Sequence, residues 1–487
     1  MGVLIAIDAG TTGVRAFAIG EDGAPKGWSY REFTQHFPQP GWVEHDADEI
    51  WQVVQQTLAE LSSRLHEPIA AIGITNQRET VVVWDRRTSR PLHRAIVWQD
   101  RRTAERCDGL RDAGHLDLVR AKTGLVLDPY FSATKLEWIL ASGAIDATAD
   151  AAFGTVDSWI VWNLTGGAAH VTDPSNASRT MLFDIGAFGW DDDLLELFSV
   201  PRSMLPTVLP SSGTMGTTVT GVGVPAGIPI AGIAGDQQAA LFGQACFTPG
   251  MTKNTYGTGS FVLMNVGPEV PPPVEGLLTT VAWSLADGAR AYALEGAIFV
   301  TGAAIQWLRD GLGIIDAAAD IGPLAESCPD AEGVYFVPAF TGLGSPYWDP
   351  YARGTIVGLT RGTGRAHLAR AVVEAMTYQT RDVVEAMESA SGRSRVALRV
   401  DGGAAVMDLL LQLQADQLQV PVARPTIAET TALGAGYLAG LGVGIWGSLD
   451  DLAAQWHLDR EFVPVARPAA ADQRYAGWKR AVDRARA

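Results

Sequence analysis

Several short stretches of this chain carry side chains whose types and spacing could do chemistry. Asp8, Gly10, Thr11 and Thr12 stand in DAGTT, directly after an apolar run. Gly10 would let the backbone turn without a Cβ, so that exposed amides and the hydroxyls of Thr11 and Thr12 could donate to phosphate oxygens. Asp8, at the end of the run, is placed to attract a hydrated Mg²⁺ that accompanies phosphates. An ordinary hairpin with a capping Asp would look the same, but Gly257, Thr258 and Gly259 repeat the turn. Two such hairpins facing each other would clamp a triphosphate. Asp236 follows the apolar run Ile230 to Ile233 and opens a segment carrying Ala239, Leu241 and Phe242. It reads either as a helix N-cap or as a general base taking the proton from an attacking hydroxyl, and spacing leaves both open. Arg78 and Glu79, with Trp98 and Tyr130, suit a small polyol: charged groups for the hydroxyls, an aromatic face for the carbons. Each also has a plainer reading, as surface charge or core packing.

These residues need elements to position them. Val3 to Ile7, then Gly10, then Val14 to Ile19 reads as strand, tight turn, strand. Asp46 with Glu49 three residues later is a capping-box-like start for a helix whose Ile50, Trp51, Val54 and Leu58 share a face. The apolar strand Ile69 to Ile74 delivers its end to Arg78 and Glu79. Strands and helices alternate in this way along the chain, which predicts a layered α/β architecture. Lys253 to Val266 repeats the strand, Gly-Thr turn, strand pattern of the N-terminus; Gly257 − Gly10 and Thr258 − Thr11 both give 247, close to half of the 487 residues. The fold is therefore expected to be duplicated about a midpoint near 248, with parts 1–248 and 249–487 and the active site in a cleft between them.

Several classes of function are excluded. There is no Gly-Lys dipeptide for a P-loop, no GxGxxG after the first strand for a dinucleotide fold, and neither HExxH nor protein-kinase loops. With 37 Lys and Arg against 54 Asp and Glu, the formal charge is −17, which argues against nucleic acid or an anionic membrane surface as the main partner. Cys107, Cys246 and Cys328 lie far apart, without zinc spacing, and suit a reducing compartment. The N-terminus lacks a basic region before its apolar run, and the low-charge stretch Ala432 to Gly447 is too short for a membrane span and carries six glycines. A closely packed core element and a cytoplasmic location are expected.

The same residues lie in longer strings. PGWVEHD (40 to 46), TNQRET (75 to 80), AIVWQDRR (95 to 102), DPYFSATK (128 to 135), NASRTMLFD (176 to 184), GDQQAALFGQ (235 to 244), KNTYGTG (253 to 259) and FVPAFTGLGSPYWDPYARG (336 to 354) stand in order along nearly the whole chain. In these strings the chain resembles the FGGY carbohydrate kinases, members of the actin/hexokinase-like superfamily of duplicated ribonuclease-H-like domains, and within them the enzymes that act on glycerol. The resemblance implies ATP-dependent phosphorylation of glycerol to sn-glycerol 3-phosphate. Glycerol would be contacted by Arg78, Glu79, Tyr130, Asp236 and Gln237, with Trp98 and Phe261 on its carbons and Asp236 as the base. Nucleotide phosphates would be held by Thr11, Thr12, Arg15 and Thr258, with Gly302, Gln306 and Gly403 nearer the nucleoside. Mg²⁺ would sit by water contacts near Asp8 and Asp236, and the chain would form a homo-oligomer, dimer or tetramer. A kinase of another polyol or sugar is the alternative within the family; a non-catalytic actin-like nucleotide-binding protein is the alternative outside it.

The chain departs from the family pattern at three places. Ala9 and Gly13 stand where Gln and Ser are usual, and a missing Ser hydroxyl at 13 could lose a phosphate hydrogen bond of about 1 kcal/mol. Met407 stands where Asn is common, beside the expected base pocket. Fructose bisphosphate control is not expected, because Gly213 to Ile233 contains no Lys, Arg or His.

Overall fold

The computed structural model describes residues 2–143, 145 and 150–486. In the first part of the chain, β1 (Val3–Ala9) and β2 (Gly13–Gly20) form the expected hairpin, and β3 (Pro25–Glu32) continues the antiparallel meander. Two short strands follow, β4 (Gln35–His36) and β5 (Glu44–His45), and then α1 (Ala47–Ser62). Asp46 caps α1, its carboxylate accepting from the amides of Asp48 and Glu49. The capping box is only half formed, because the Glu49 carboxylate turns away to the backbone and hydroxyl of Thr34. Next come β6 (Ile69–Asn76), β7 (Ala95–Ile96), β8 (Ser212–Thr217), β9 (Pro229–Gly235) and α2 (Asp236–Gly243). The first sheet has the order β8-β9-β6-β1-β2-β3, with β1, β6 and β9 parallel; β4, β5 and β7 make a small separate sheet beside it.

The second part repeats the plan. A hairpin of β10 (Thr252–Tyr256) and β11 (Ser260–Gly267) is followed by β12 (Leu278–Ser284), β13 (Arg290–Ile298), α3 (Gly302–Gln306), β14 (Leu398–Asp401), β15 (Val422–Pro425), α4 (Thr430–Gly442) and β16 (Leu458–Phe462). Its sheet runs β12-β13-β11-β10-β14-β15-β16. As in the first sheet, an antiparallel hairpin is extended by two parallel strands and closed by an antiparallel edge. The repeat detected at an offset of 247 is a repeat of topology, and the two Gly-Thr turns occupy equivalent places.

The two sheets are joined by α2 and α4, which follow equivalent strands and pack on each other. A Cβ on Gly434 would lie 1.8 Å from Ala239 O, and one on Gly243 would lie 2.0 Å from Thr430 O, so only glycine permits this backbone contact. The glycine-rich stretch from Ala432 is thus the closely packed core element expected of it. Although α4 belongs to the second part of the sequence, it lies on the first sheet: a Cβ on Gly73 of β6 would meet Ala435 O at 2.1 Å. Likewise α2 packs on β10, β11 and β12 of the second sheet. No helix among the described residues is long and apolar enough to cross a membrane.

Candidate active site

Parallel strands deliver their C-terminal ends to one edge of a sheet, which is where α/β folds collect their chemistry. Here β1 ends at Asp8 and Ala9, β6 runs into Asn76, Gln77, Arg78 and Glu79, and β9 runs into Asp236; the register pairs Asp8 with Thr75 and Ala234 with Thr75. Asp236 is the first residue of α2, not its cap: the N-cap position is Gly235. Its carboxylate accepts from the neighbouring Gln237 amide at 2.7 Å and stands 3.1 Å from Arg78 Nε, with 30% of the side chain exposed. Burial raises the Asp236 pKa and Arg78 opposes the rise.

Arg78 and Glu79 are not surface charges; they are 2% and 1% exposed. Arg78 donates to both oxygens of Glu295 on β13, at 2.5 and 3.1 Å, to Gln238 Oε1 at 3.2 Å and to the Tyr130 hydroxyl at 3.3 Å. Arg179, fully buried, donates to Glu79 Oε1 at 2.7 Å and Glu295 Oε1 at 3.0 Å, and its Nη1 has no hydrogen-bond partner among the described residues. Two guanidiniums and two carboxylates thus cancel in charge, which is what makes their burial tolerable. Burial would raise the Glu295 carboxyl, but Arg179 and Arg78 outweigh it and hold it at about 2. Tyr130 is turned edge-on to Trp98, ring centroids 5.5 Å apart, and Lys135 supports its loop by donating to the carbonyls of Pro129, Tyr130 and Phe131 at 2.7 to 2.8 Å. Gln237 accepts from Lys253 on β10, whose ammonium also reaches Thr255 Oγ1 at 2.9 Å; burial lowers the Lys253 pKa to about 8, against Asp401 and Asp236. Phe261 stands opposite Thr255 in the same hairpin, half-buried.

Both hairpin turns are accessible. Thr11 is half-buried and Thr12 exposed in the first; Thr258 is exposed in the second. Trp98 Nε1 donates to Thr11 Oγ1 at 3.0 Å, tying Trp98 to the first turn. Arg15 lies over the rings of Trp28 and Tyr30 and reaches Glu429 at 3.5 Å, just before α4. Gly302 sits directly on the second turn, its amide donating to Gly257 O at 3.0 Å, while Gly403 and Gln306 are exposed. The steric reason expected for Gly10 does not hold: its φ is not positive, and an added Cβ would find nothing nearer than 3.5 Å. At Gly13 the reverse is true. A Cβ there would lie 2.5 Å from Arg31 O and 2.7 Å from the Tyr30 hydroxyl, so β3 excludes a serine. Met407 follows the turn Gly403–Val406 and lies beside Gly322.

Asp8 and Asp236 feel each other: burial raises the Asp8 pKa to about 6, Arg15 opposes, and Asp236 adds to the rise. Two neighbouring carboxylates that repel are a fitting environment for a hard dication with oxygen ligands. No group of three or more His, Cys, Asp or Glu that could enclose a metal occurs among the described residues, so such an ion would need water and phosphate to complete its shell.

Reading the sequence did not single out Glu295, Arg179 or Lys253 for the site. A signal existed for Glu295, the one charge inside the apolar run Ala291 to Ile298. Arg179 and Lys253 lie within strings already quoted, but nothing local says where they point.

The duplicated α/β fold, with the partly exposed Asp236 carboxylate at the strand ends where Asp8 and Arg78 also stand, is that of the actin/hexokinase-like class. The N-terminal domain model of the FGGY family of carbohydrate kinases matches residues 3–243 and its C-terminal domain model residues 252–443, and the chain belongs to that family. It is 56% identical to the glycerol kinase of Aromatoleum aromaticum over 100% of this chain and 99% of that protein, and 55% identical to glycerol kinase 2 of Thermotoga maritima over 99% of each. Among solved structures, Plasmodium falciparum glycerol kinase with ADP superposes with a TM-score of 0.94 at 35% identity, covering 100% of this chain and 98% of that one. A ligand-bound xylulose kinase from Lactobacillus acidophilus, at 22% identity and a TM-score of 0.90 over 99% and 97%, shares the fold.

Proposed function

We propose that this enzyme transfers the γ-phosphoryl group of ATP to a terminal hydroxyl of glycerol, giving sn-glycerol 3-phosphate and ADP. The full-length identity to curated glycerol kinases favours glycerol over other polyols and sugars. The single observation in the site that carries the reading is Asp236: a carboxylate with a raised pKa, still partly open, ion-paired with Arg78, which also holds Tyr130 and Glu295. In the reaction the substrate oxygen forms a bond to the γ-phosphorus as the bond to the β,γ-bridging oxygen breaks, and the hydroxyl proton passes to Asp236. Arg78, Glu79, Tyr130 and Gln237 bind glycerol's hydroxyls, and Trp98 and Phe261 cover its carbons. Thr11, Thr12, Arg15 and Thr258 hold phosphates, with Gly302, Gln306 and Gly403 toward the nucleoside. Mg²⁺, near Asp8 and Asp236, would supply charge neutralisation of the phosphates. The reading divides the chain near residue 248, with glycerol and the first phosphate hairpin on the first part and the nucleotide on the second, in a cytoplasmic enzyme whose three free, buried cysteines suit that compartment.

The test is ADP release with ATP, Mg²⁺ and a panel of glycerol, four- and five-carbon polyols and ketopentoses. Glycerol should give the highest kcat/KM; a higher value for a pentose would move the assignment within the family, and no release with any would reject it.

A further inference from the structure

The first phosphate turn is held on both flanks, by the residues that follow β6 and β3, and at its apex by two side chains. Gln77 N donates to Ala9 O at 2.8 Å, Gln77 Nε2 to Gly10 O at 3.1 Å, Gln35 Nε2 to Thr11 O at 3.0 Å and Phe33 N to Thr12 O at 3.3 Å. Four successive carbonyls are therefore held. In a trans peptide the N–H points opposite to the C=O it follows, so the glutamine side chains that hold Gly10 O and Thr11 O turn the amides of Thr11 and Thr12 away from themselves.

Between the two glutamines stands His45, fully buried in PGWVEHD, on β5 directly opposite Gln35 on β4. Its Nε2 lies 2.6 Å from Gln35 Oε1 and its Nδ1 3.3 Å from Gln77 Nε2. The amide nitrogen of Gln35 is already committed to Thr11 O and Phe33 O, so the atom it offers the ring is an acceptor. Gln77 Oε1 accepts from Thr80 Oγ1 at 2.9 Å, so Gln77 offers the ring a donor. Only one neutral tautomer satisfies both neighbours, with the proton on Nε2 and the lone pair on Nδ1. That ring in turn fixes which way round each glutamine amide sits, and hence that nitrogens, not oxygens, face the turn. A reversed amide would set oxygen against carbonyl oxygen.

We infer that His45, with Gln35 and Gln77, is a positioning unit for nucleotide phosphate: without touching the substrates, it orients the glutamine amides that hold the Gly10–Thr12 turn with its N–H groups toward the phosphates. The inference rests on the proposed kinase reading, in which this turn binds ATP. It separates from a general packing role because glycerol's own contacts, Arg78, Glu79 and Tyr130, are held by a different network.

The experiment compares wild type with His45→Phe, which keeps a ring against Phe33 (centroids 4.9 Å apart) but removes both nitrogens. It reads KM for ATP and for glycerol, together with the calorimetric Kd of a non-hydrolysable ATP analogue with Mg²⁺ and of glycerol alone. The expected result is a rise of about tenfold or more in ATP KM and analogue Kd, with glycerol Kd within about twofold. His45→Asn, which can keep an acceptor near the Nδ1 position, should recover part of the loss. Unchanged analogue Kd, or equal losses for both ligands, would overturn the proposal. Should His45→Phe not fold, Gln35→Met, on a half-buried side chain, carries the same test with the same two outcomes. Wild-type protein that binds no nucleotide at all would instead reject the kinase reading.

Discussion

The two Gly-Thr turns share a shape and an equivalent place in their sheets, yet they are held by different means. In the first, the two apical carbonyls are held by side chains, Gln77 on Gly10 and Gln35 on Thr11. In the second, every support is main chain: Gly302 N on Gly257 O at 3.0 Å, Thr301 N and Ala303 N on Thr258 O at 2.9 and 3.0 Å, and Gly257 N on Gly259 O at 2.8 Å. A turn held by main chain depends on close approach of backbones and is broken by adding atoms. One held by side chains is broken by removing them. The first arrangement also reaches Trp98, proposed to cover glycerol's carbons, through Thr11; the second is built on the start of α3.

The largest expected effect lies outside both turns and sets the scale for them. Asp236→Asn should lower kcat by about 10² to 10⁴ while leaving the Kd of an ATP analogue nearly unchanged, because it removes the base and neither clamp. Retained turnover in rapid-quench assays would end the assignment. Gly302→Ala tests the main-chain turn: the new Cβ would lie 2.7 Å from Gly257 O, and such crowding costs roughly 1–3 kcal/mol. ATP KM should rise by about tenfold or more, and a wild-type ATP KM would mean that this backbone contact does not matter to binding. Trp98→Phe keeps an aromatic ring near Tyr130 but deletes the bond to Thr11, worth about 1 kcal/mol. Steady-state kinetics should give an ATP KM several-fold higher, an effect that pure packing on glycerol would not produce. The smallest effect on stability is expected at Gly10→Ala, where there is room for the methyl group: the unfolding free energy from urea titration should stay within about 0.5 kcal/mol of wild type. A lower ATP affinity in that stable variant would assign Gly10's role to clearance for the ligand, whereas a large loss of stability would contradict the geometry.

The contrast between the turns also marks how far the amino-acid order could be read. Hydrophobic runs, a turn residue and a cap are local patterns, so β1, β2, the strand that starts at Ile69, the start of α1 at Asp46 and the repeat at 247 were all legible, and the ordered motif strings pointed to the family. Local pattern alone could not decide whether Asp236 is a cap or an open carboxylate, nor that Arg78 and Glu79 are buried. Those answers depend on partners far along the chain: Arg78 meets Glu295 at a separation of 217 residues, and Arg179 meets Glu79 at 100. The same is true of Gly13, whose lack of a side chain is explained by Tyr30 and Arg31 on the neighbouring strand, and of α4, which crosses to the first sheet because glycines on both surfaces let backbones touch. Periodicity and turn chemistry act through neighbours in sequence, and so are written in it directly. Desolvation, charge pairing and steric contact act through neighbours in space, and those exist only once the two sheets and their crossing helices have packed.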